Sequence, residues 1–413
     1  MLYRWLLVLA VPFLKIHLKR RLSLGKEDPE RLQERMGIAT RDRSKGKLLW
    51  IHAASVGESV SVLKLIETLN ERYPLVTILL TTGTITSARL MNQRLPKSVI
   101  HQYVPLDVPA WAARFLNHWR PDHVIFLESE LWPNLLKEIQ SRGIPCWLLN
   151  ARLSPKSYQR WKFFRRTVSE LLNCFDKILT PTPQTRDRLI ELGARHVELS
   201  INLKYTADPL PVNLQELSEL KKIIDRPILA VVSTHAGEEE FILKSIQALK
   251  NQIPNVLTLL APRHPDRSET IMTLLSDVKI SWVRRSEGQI PTNTDDVWLF
   301  DTIGDLGLVY SLAPICVLGG SFEVIGGHNP IEPFNLGCMV IQGPNTFNFT
   351  DTNQILAGAL TEVSTQSELT HALLSYYLDP KKIEDKISLG QTVLESQRHG
   401  LDNIIRDLTQ RLA

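Results

Sequence analysis

The segment richest in chemistry is Leu49-Trp50-Ile51-His52-Ala53-Ala54-Ser55-Val56-Gly57-Glu58. It reads as a short buried strand, a tight turn of small residues, and a helix that opens at Ser55 and continues its apolar stripe through Val60, Leu63, Ile66 and Leu69. One carboxylate, Glu58, is thereby placed just beyond a strand tip and at a helix start. Ligands of open α/β sheets bind in that region, and a carboxylate there can take a proton from a substrate hydroxyl. A plainer reading stands beside it: Glu in a first helical turn is favoured by the helix dipole and by capping alone.

Other candidates fall at similar places. Glu128 and Glu130, in Leu127-Glu128-Ser129-Glu130-Leu131-Trp132-Pro133-Asn134, follow a buried strand. Such neighbours can orient a substrate or raise one another's pKa; the alternative is ordinary helix-start acidity. Asn150 and Arg152 end the next strand, and Lys204 lies in Ile201-Asn202-Leu203-Lys204. A lysine there can stabilise charge developing on a leaving phosphate, unless it is simply a solvated surface lysine. In the second half, Leu318-Gly319-Gly320-Ser321 follows a strand and runs on to His328-Asn329-Pro330-Ile331-Glu332-Pro333. Glycines let a backbone approach a ligand closely. Pro330 suits the first position of a helix whose free N–H groups can meet an anion, and Glu332 can accept ribose hydroxyls. Pro262-Arg263-His264-Pro265 offers Arg263 for bidentate pairing with a phosphate or carboxylate. Asp301-Thr302-Ile303-Gly304-Asp305-Leu306 is a third strand-end loop. His235 and Glu238 open the second half at the matching edge, with His235 as readily structural as catalytic.

The elements that must hold these residues alternate. Strands are expected at Lys47–Ala53, Val76–Thr81, His123–Leu127, Cys146–Asn150 and Lys177–Thr180, with apolar helical patterns such as Trp111–Trp119 and Leu131–Gln140 between them. Pro209 and Pro211 mark a linker. The pattern restarts with strands at Ile228–Val232, Val256–Ala261, Trp298–Phe300, Ile315–Leu318 and Met339–Ile341. This is βαβ alternation, hence parallel sheets covered by helices, arranged as two Rossmann-like domains facing a cleft. The expected division is an N-terminal segment over 1–24, a first domain over 25–208, a second over 209–385, and a terminal helix over 386–413 that crosses back to the first domain.

Composition narrows the class. The chain has 413 residues, 43% hydrophobic and 22% charged, with a formal net charge of +4. That charge is too small to argue for nucleic acid, and no Lys/Arg block interleaved with aromatics is expected in the body of the chain. Cys146, Cys174, Cys316 and Cys338 lack metal-ligand spacing, so reduced thiols are expected. The N-terminus differs from the rest. The apolar run Trp5 to Leu14, interrupted by Pro12, gives way to Lys15, His17, Lys19, Arg20 and Arg21. The run is too short to span a bilayer. It suits a helix lying in a membrane interface, with Trp5 and Phe13 in the acyl boundary and the basic cluster on anionic headgroups. The alternative is a helix packed on the protein's own core.

Taken in order, His52 to Glu58, Glu128 to Asn134, Asn150-Ala151-Arg152-Leu153-Ser154, Asn202-Leu203-Lys204, Ala261-Pro262-Arg263-His264 and His328 to Pro333 resemble the bacterial 3-deoxy-D-manno-octulosonic acid (Kdo) transferases of lipopolysaccharide synthesis. The resemblance implies a GT-B fold and an inverting transfer of Kdo from CMP-Kdo to lipid IVA, the tetraacylated lipid A precursor. It implies Glu58 as general base and Glu128 and Lys204 as transition-state stabilisers. Pro262 and Arg263, Ile303, Gly304 and Asp305, and Asn329, Pro330, Ile331 and Glu332 match its CMP-binding loops. Asp305 stands where many relatives are expected to carry Glu, which weakens a side-chain contact and spares a backbone one. The donor is already activated, so no cofactor is expected, and no carboxylate pair has metal-ligand spacing, so no metal is expected. The expected location is the cytoplasmic face of the inner membrane, against its anionic surface. The competing readings are another GT-B glycosyltransferase using a UDP-sugar and a membrane lipid, and a non-catalytic membrane-surface binding protein.

Overall fold

Strand β1, Leu48–Ala53, is buried at every position. Leu48 and Trp50 belong to one hydrophobic cluster, and Leu49, Ile51 and Ala53 to another. This is the period-two alternation of a strand covered on both faces. The same split recurs in the strand His123–Leu127, where Val124 and Phe126 oppose Ile125 and Leu127. The computed structural model describes residues 2–412.

Two units emerge: one formed by residues up to Ala207 together with those from Gln397 onward, the other by Asp208–Ser396. The first holds β1, β2 (Thr77–Thr82), β3 (Ile100–Tyr103), β4 (His123–Leu127), β5 (Cys146–Leu149), β6 (Lys177–Thr180) and β7 (Val197–Leu199). Its seven strands run in the order β3-β2-β1-β4-β5-β6-β7, all pairs parallel. The second unit holds β8 (Ile228–Thr234), β9 (Leu257–Pro262), β10 (Trp282–Arg284), β11 (Val297–Leu299), β12 (Ile315–Leu318), β13 (Met339–Gln342) and β14 (Thr361–Glu362). Its order is β10-β11-β9-β8-β12-β13-β14, again all parallel. These are doubly wound sheets. The central switch in strand order falls between β1 and β4 in the first and between β8 and β12 in the second, where β11 is also inserted between β9 and β10. The crevice beyond the strand ends at that point is where such sheets bind ligands.

Four of these strands, β3, β7, β10 and β14, were not expected from the sequence, and each is the outermost strand of its sheet. The C-terminal helix, Pro380–Leu412, begins in the second unit and ends in the first. Leu401, Ile404, Ile405 and Leu408 enter the first unit's core. Asp402 and Asp407 pair with Arg72 at 2.7 Å and Lys177 at 2.8 Å.

The N-terminal segment forms two helices, Leu2–Leu9 and Val11–Ser23. Pro12 is the second residue of the latter, where a missing N–H costs nothing. Leu18 is buried, while Trp5, Leu9, Phe13 and Ile16 are 67%, 73%, 74% and 65% exposed. No helix among the described residues is long and apolar enough to cross a membrane. The Tyr3 hydroxyl donates to Asp107. Asp107 in turn accepts the N–H groups of Asn134 at 3.1 Å and Leu135 at 2.8 Å, capping the helix Pro133–Ser141.

Candidate active site

The turn after β1 holds Glu58 through a reciprocal cap. Ser55 is the N-cap of the helix Val56–Arg72, and its Oγ accepts the Glu58 N–H at 3.3 Å. The Ser55 hydroxyl donates to Glu58 Oε1 at 2.9 Å, and the Ala54 N–H donates to Oε2 at 2.8 Å. The plainer reading of Glu58 as a capping residue is therefore physically true. It is not the whole account. Glu58 is buried, and burial raises its carboxyl pKa despite those two donors; the charges of Glu130 and Glu128 push the same way. Raised proton affinity moves a carboxylate toward the range a general base needs.

β4 is the neighbour of β1 across the switch point, and its loop supplies Glu128 and Glu130. Glu128 has φ 56° and Asn150, beyond β5, has φ 55°. Both lie in the left-handed region that ordinary residues seldom occupy outside functional turns. The two loops are laced together: the Arg152 N–H donates to Glu128 O at 3.1 Å and the Ser129 hydroxyl to Arg152 O at 2.8 Å. Lys204 Nζ stands 3.2 Å from Glu128 Oε1. Asn150 Nδ2 donates to the same oxygen at 3.4 Å, and Arg152 Nε lies 3.6 Å from it. Lys204 sits in a 3-10 turn over Leu203–Thr206, with its N–H held by Asn202 Oδ1 at 3.1 Å. It is a paired lysine, although its side chain stays in contact with solvent.

Glu130 departs from the expectation that the two adjacent carboxylates raise one another. Burial pushes its pKa up, but the His52 ring and the Trp132 indole N–H outweigh that and hold it below the usual range. His52 is fully buried on β1, and its Nε2 is 3.7 Å from Glu130 Oε2.

In the second unit, two of the three expected loops share a cavity. Pro262, Arg263, Ile303, Gly304 and Asp305 line one cavity of about 310 Å³ with Ser233 and Phe300. Asn329, Pro330, Ile331 and Glu332 do not line it, although the Arg263 charge acts on Glu332. Burial raises the Glu332 carboxyl, while the Asn329 amide and the Arg263 charge oppose that rise. Asn329 Nδ2 donates to Glu332 Oε1 at 3.1 Å and its Oδ1 accepts the Ile331 N–H at 3.1 Å. This corrects one expectation. Pro330 is the residue before the helix Ile331–Asn335, not its first position, and the first N–H after it is already bound by Asn329. Asp305 is likewise engaged within the protein, accepting from the Thr302 hydroxyl and from Arg285 Nε at 3.3 Å. Ile303, 92% exposed, stands out of this loop.

The role of Glu238 and one surface segment escaped the sequence reading. Glu238 is a buried pin for the glycine turn: it accepts the N–H groups of Gly320 at 2.7 Å, Phe322 at 2.9 Å and His235 at 2.9 Å. A Cβ on Gly319 would lie 2.7 Å from Ser233 O, so this turn packs directly on the end of β8. His235 is hydrogen-bonded through Nε2 to His328 Nε2 at 2.9 Å. The surface segment is Arg160-Trp161-Lys162-Phe163-Phe164-Arg165-Arg166, a basic block interleaved with aromatics, contrary to the expectation that none exists. Phe163 and Phe164 are 86% and 64% exposed there. The signal was present in the residues themselves.

Residues 30–207 match the family model described as 3-deoxy-D-manno-octulosonic-acid transferase (kdotransferase). A 3-deoxy-D-manno-octulosonic acid transferase of Rickettsia bellii is 35% identical over 99% of both chains. One from Haemophilus influenzae is 34% identical over 91% of this chain and 90% of its own. The chain belongs to the Kdo transferase family. Kdo transferases are glycosyltransferases, and the fold agrees. MurG of Acinetobacter baumannii superposes with a TM-score of 0.53 at 13% identity, over 89% of this chain and 99% of that one. A UDP-GlcNAc 2-epimerase of Neisseria meningitidis superposes at 0.59 and 15% identity, over 88% and 100%. At such identities the likeness is one of architecture: the two Rossmann-like units of a GT-B fold.

Proposed function

We propose that this Kdo transferase moves Kdo from CMP-Kdo to lipid IVA by an inverting single displacement, with Glu58 as general base. The observation that carries this reading is the position of Glu58. It is a buried carboxylate of raised proton affinity at the switch point of the first sheet, beside the Lys204–Glu128 pair.

Glu58 takes the proton of the acceptor hydroxyl as that oxygen attacks the anomeric carbon of Kdo. The bond from that carbon to the phosphate oxygen breaks, and CMP leaves with the electron pair. The Ser55 hydroxyl and Ala54 N–H fix the carboxylate, so little reorganisation is needed at the moment of transfer. Glu128 and Lys204 stabilise the transition state. Arg263, whose guanidinium matches phosphate geometry, binds CMP with Pro262, the backbone of Ile303 to Asp305, and Asn329 to Glu332. A backbone contact from Asp305 suits a residue whose carboxylate is held by Thr302 and Arg285.

The reading places the enzyme on the cytoplasmic face of the inner membrane. The exposed Trp5, Leu9, Phe13 and Ile16 support an interfacial helix, and Phe163 and Phe164 among Arg160, Lys162, Arg165 and Arg166 support a second contact with anionic lipid. Incubating the full chain with CMP-Kdo and lipid IVA and weighing the product tests the reaction. A mass increase of one or more Kdo residues supports it, and no product with CMP-Kdo but transfer from a UDP-sugar overturns it.

A further inference from the structure

His52 makes hydrogen bonds on one side of its ring and faces a carboxylate on the other. Nδ1 lies 3.2 Å from the Thr81 carbonyl oxygen and 3.0 Å from Thr81 Oγ1. A carbonyl only accepts, so the contact to the Thr81 carbonyl favours a hydrogen on Nδ1. Thr81 Oγ1 also receives the Trp50 indole N–H at 2.9 Å. Nε2 makes no hydrogen bond, although His52 is fully buried, and it points toward Glu130 Oε2 at 3.7 Å. Phe126 and Trp132 pack edge-on against the ring, with centroids at 5.5 and 5.7 Å, and fix its plane. A bare Nε2 lone pair aimed at the half-buried Glu130 carboxylate would be repulsive. A second proton on the ring turns that contact into an ion pair.

We propose that His52 is held as an imidazolium and acts as a positioning residue. Its charge cancels that of Glu130, so that Glu58 is the carboxylate of the cluster that exchanges a proton during transfer. This rests on the reading of Glu58 as base. The charged groups around the cluster are Glu58 from the helix after β1, Glu128 and Glu130 from the loop after β4, Arg152 from the loop after β5, and Lys204 from the 3-10 turn. Glu128 has Lys204 at 3.2 Å and Arg152 at 3.6 Å as counter-charges. His52 is the partner that does the same for Glu130. Without its charge the His52–Glu130 pair would pass from neutral to negative, and a proton on Glu58 would be held more tightly.

The test is the pH dependence of transfer in the full chain. His52→Gln should move the acid limb of kcat/KM upward by about one pH unit, the scale of one nearby like charge. His52→Gln with Glu130→Gln makes the pair neutral again and should return the limb to its wild-type position. A His52→Gln limb that stays in place, with activity reduced equally at every pH, would overturn the proposal, because a merely structural histidine behaves that way. The 15N spectrum of selectively labelled wild-type protein is a second measurement that needs neither substrate nor a variant. Two protonated ring nitrogens on His52 at neutral pH are expected. A single ring proton, on either nitrogen, would also overturn the proposal, and it would do so without touching the assignment of Glu58.

Discussion

Lys204 Nζ and Glu128 Oε1 lie 3.2 Å apart, joining the 3-10 turn that ends the first unit's main run to the loop beyond β4. The lysine side chain is 41% exposed and the glutamate 19%. A pair this open contributes about 1 kcal/mol or less to stability, so its place beside Glu58 argues for chemistry. Lys204→Ala and Glu128→Gln should each lower kcat/KM for Kdo transfer by roughly a hundredfold, as loss of one preorganised electrostatic group does. Thermal unfolding should move by no more than a few degrees. The double variant should lose less than the product of the two, because the side chains act as one unit.

Arg263 and Asp305 line the same cavity but should respond differently to substitution. Arg263→Ala removes the guanidinium and should weaken CMP inhibition by tenfold or more, about 1.4 kcal/mol. Asp305→Asn should change CMP affinity less than threefold, because its carboxylate is directed at Thr302 and Arg285. Inhibition constants for CMP against both variants check this.

Asp107 gives the fold a pH dependence of known sign. Burial raises its pKa to about 6, above the usual value, despite the N–H groups of Asn134 and Leu135 and the Tyr3 hydroxyl. A carboxyl whose folded pKa exceeds its unfolded value binds protons preferentially in the native state. Its contribution to stability therefore grows as pH falls from about 6 to about 4, and is lost as pH rises through 6. Relative to Asp107→Asn, the wild type should gain on the order of 3 kcal/mol between pH 7 and pH 4, from about two units at 1.36 kcal/mol each. Urea unfolding of both proteins at the two pH values measures it.

The exposed aromatic residues should govern attachment to lipid. Trp5→Ser with Phe13→Ser should reduce sedimentation of the full chain with anionic phosphatidylglycerol vesicles by tenfold or more, since burying such side chains is worth about 1.5–3 kcal/mol each. Unchanged sedimentation of that variant would remove the N-terminal helices from the membrane reading. Phe163→Ser with Phe164→Ser then tests the second patch in the same assay.

Most of the fold was legible because the central strands are buried on both faces. Runs such as Leu49-Trp50-Ile51 and Ile315-Cys316-Val317-Leu318 have little other use than the middle of a parallel sheet. The edge strands were not legible for the same physical reason in reverse. Ile100-His101-Gln102-Tyr103 and Val197-Glu198-Leu199 have one unpaired side and carry polar residues that an edge tolerates and a centre does not. The site loops were found because they follow those central strands. What spacing could not give was the partner of each group. Glu238 pinning Gly320, Asn329 capping Ile331 and His52 facing Glu130 are contacts made in space, between residues whose types alone leave several partners open.

The central claim is that Glu58 removes the acceptor proton. Glu58→Gln is the direct test, because the amide retains an oxygen for the Ala54 N–H and so keeps much of the cap. The measurement is the single-turnover rate of Kdo transfer from CMP-Kdo to lipid IVA by wild type and variant, with unfolding followed in parallel. The account predicts a loss of about 10² to 10⁴-fold, the range for a removed general base, in a variant that unfolds within a few degrees of wild type. Transfer within threefold of wild type by a folded Glu58→Gln protein would contradict it.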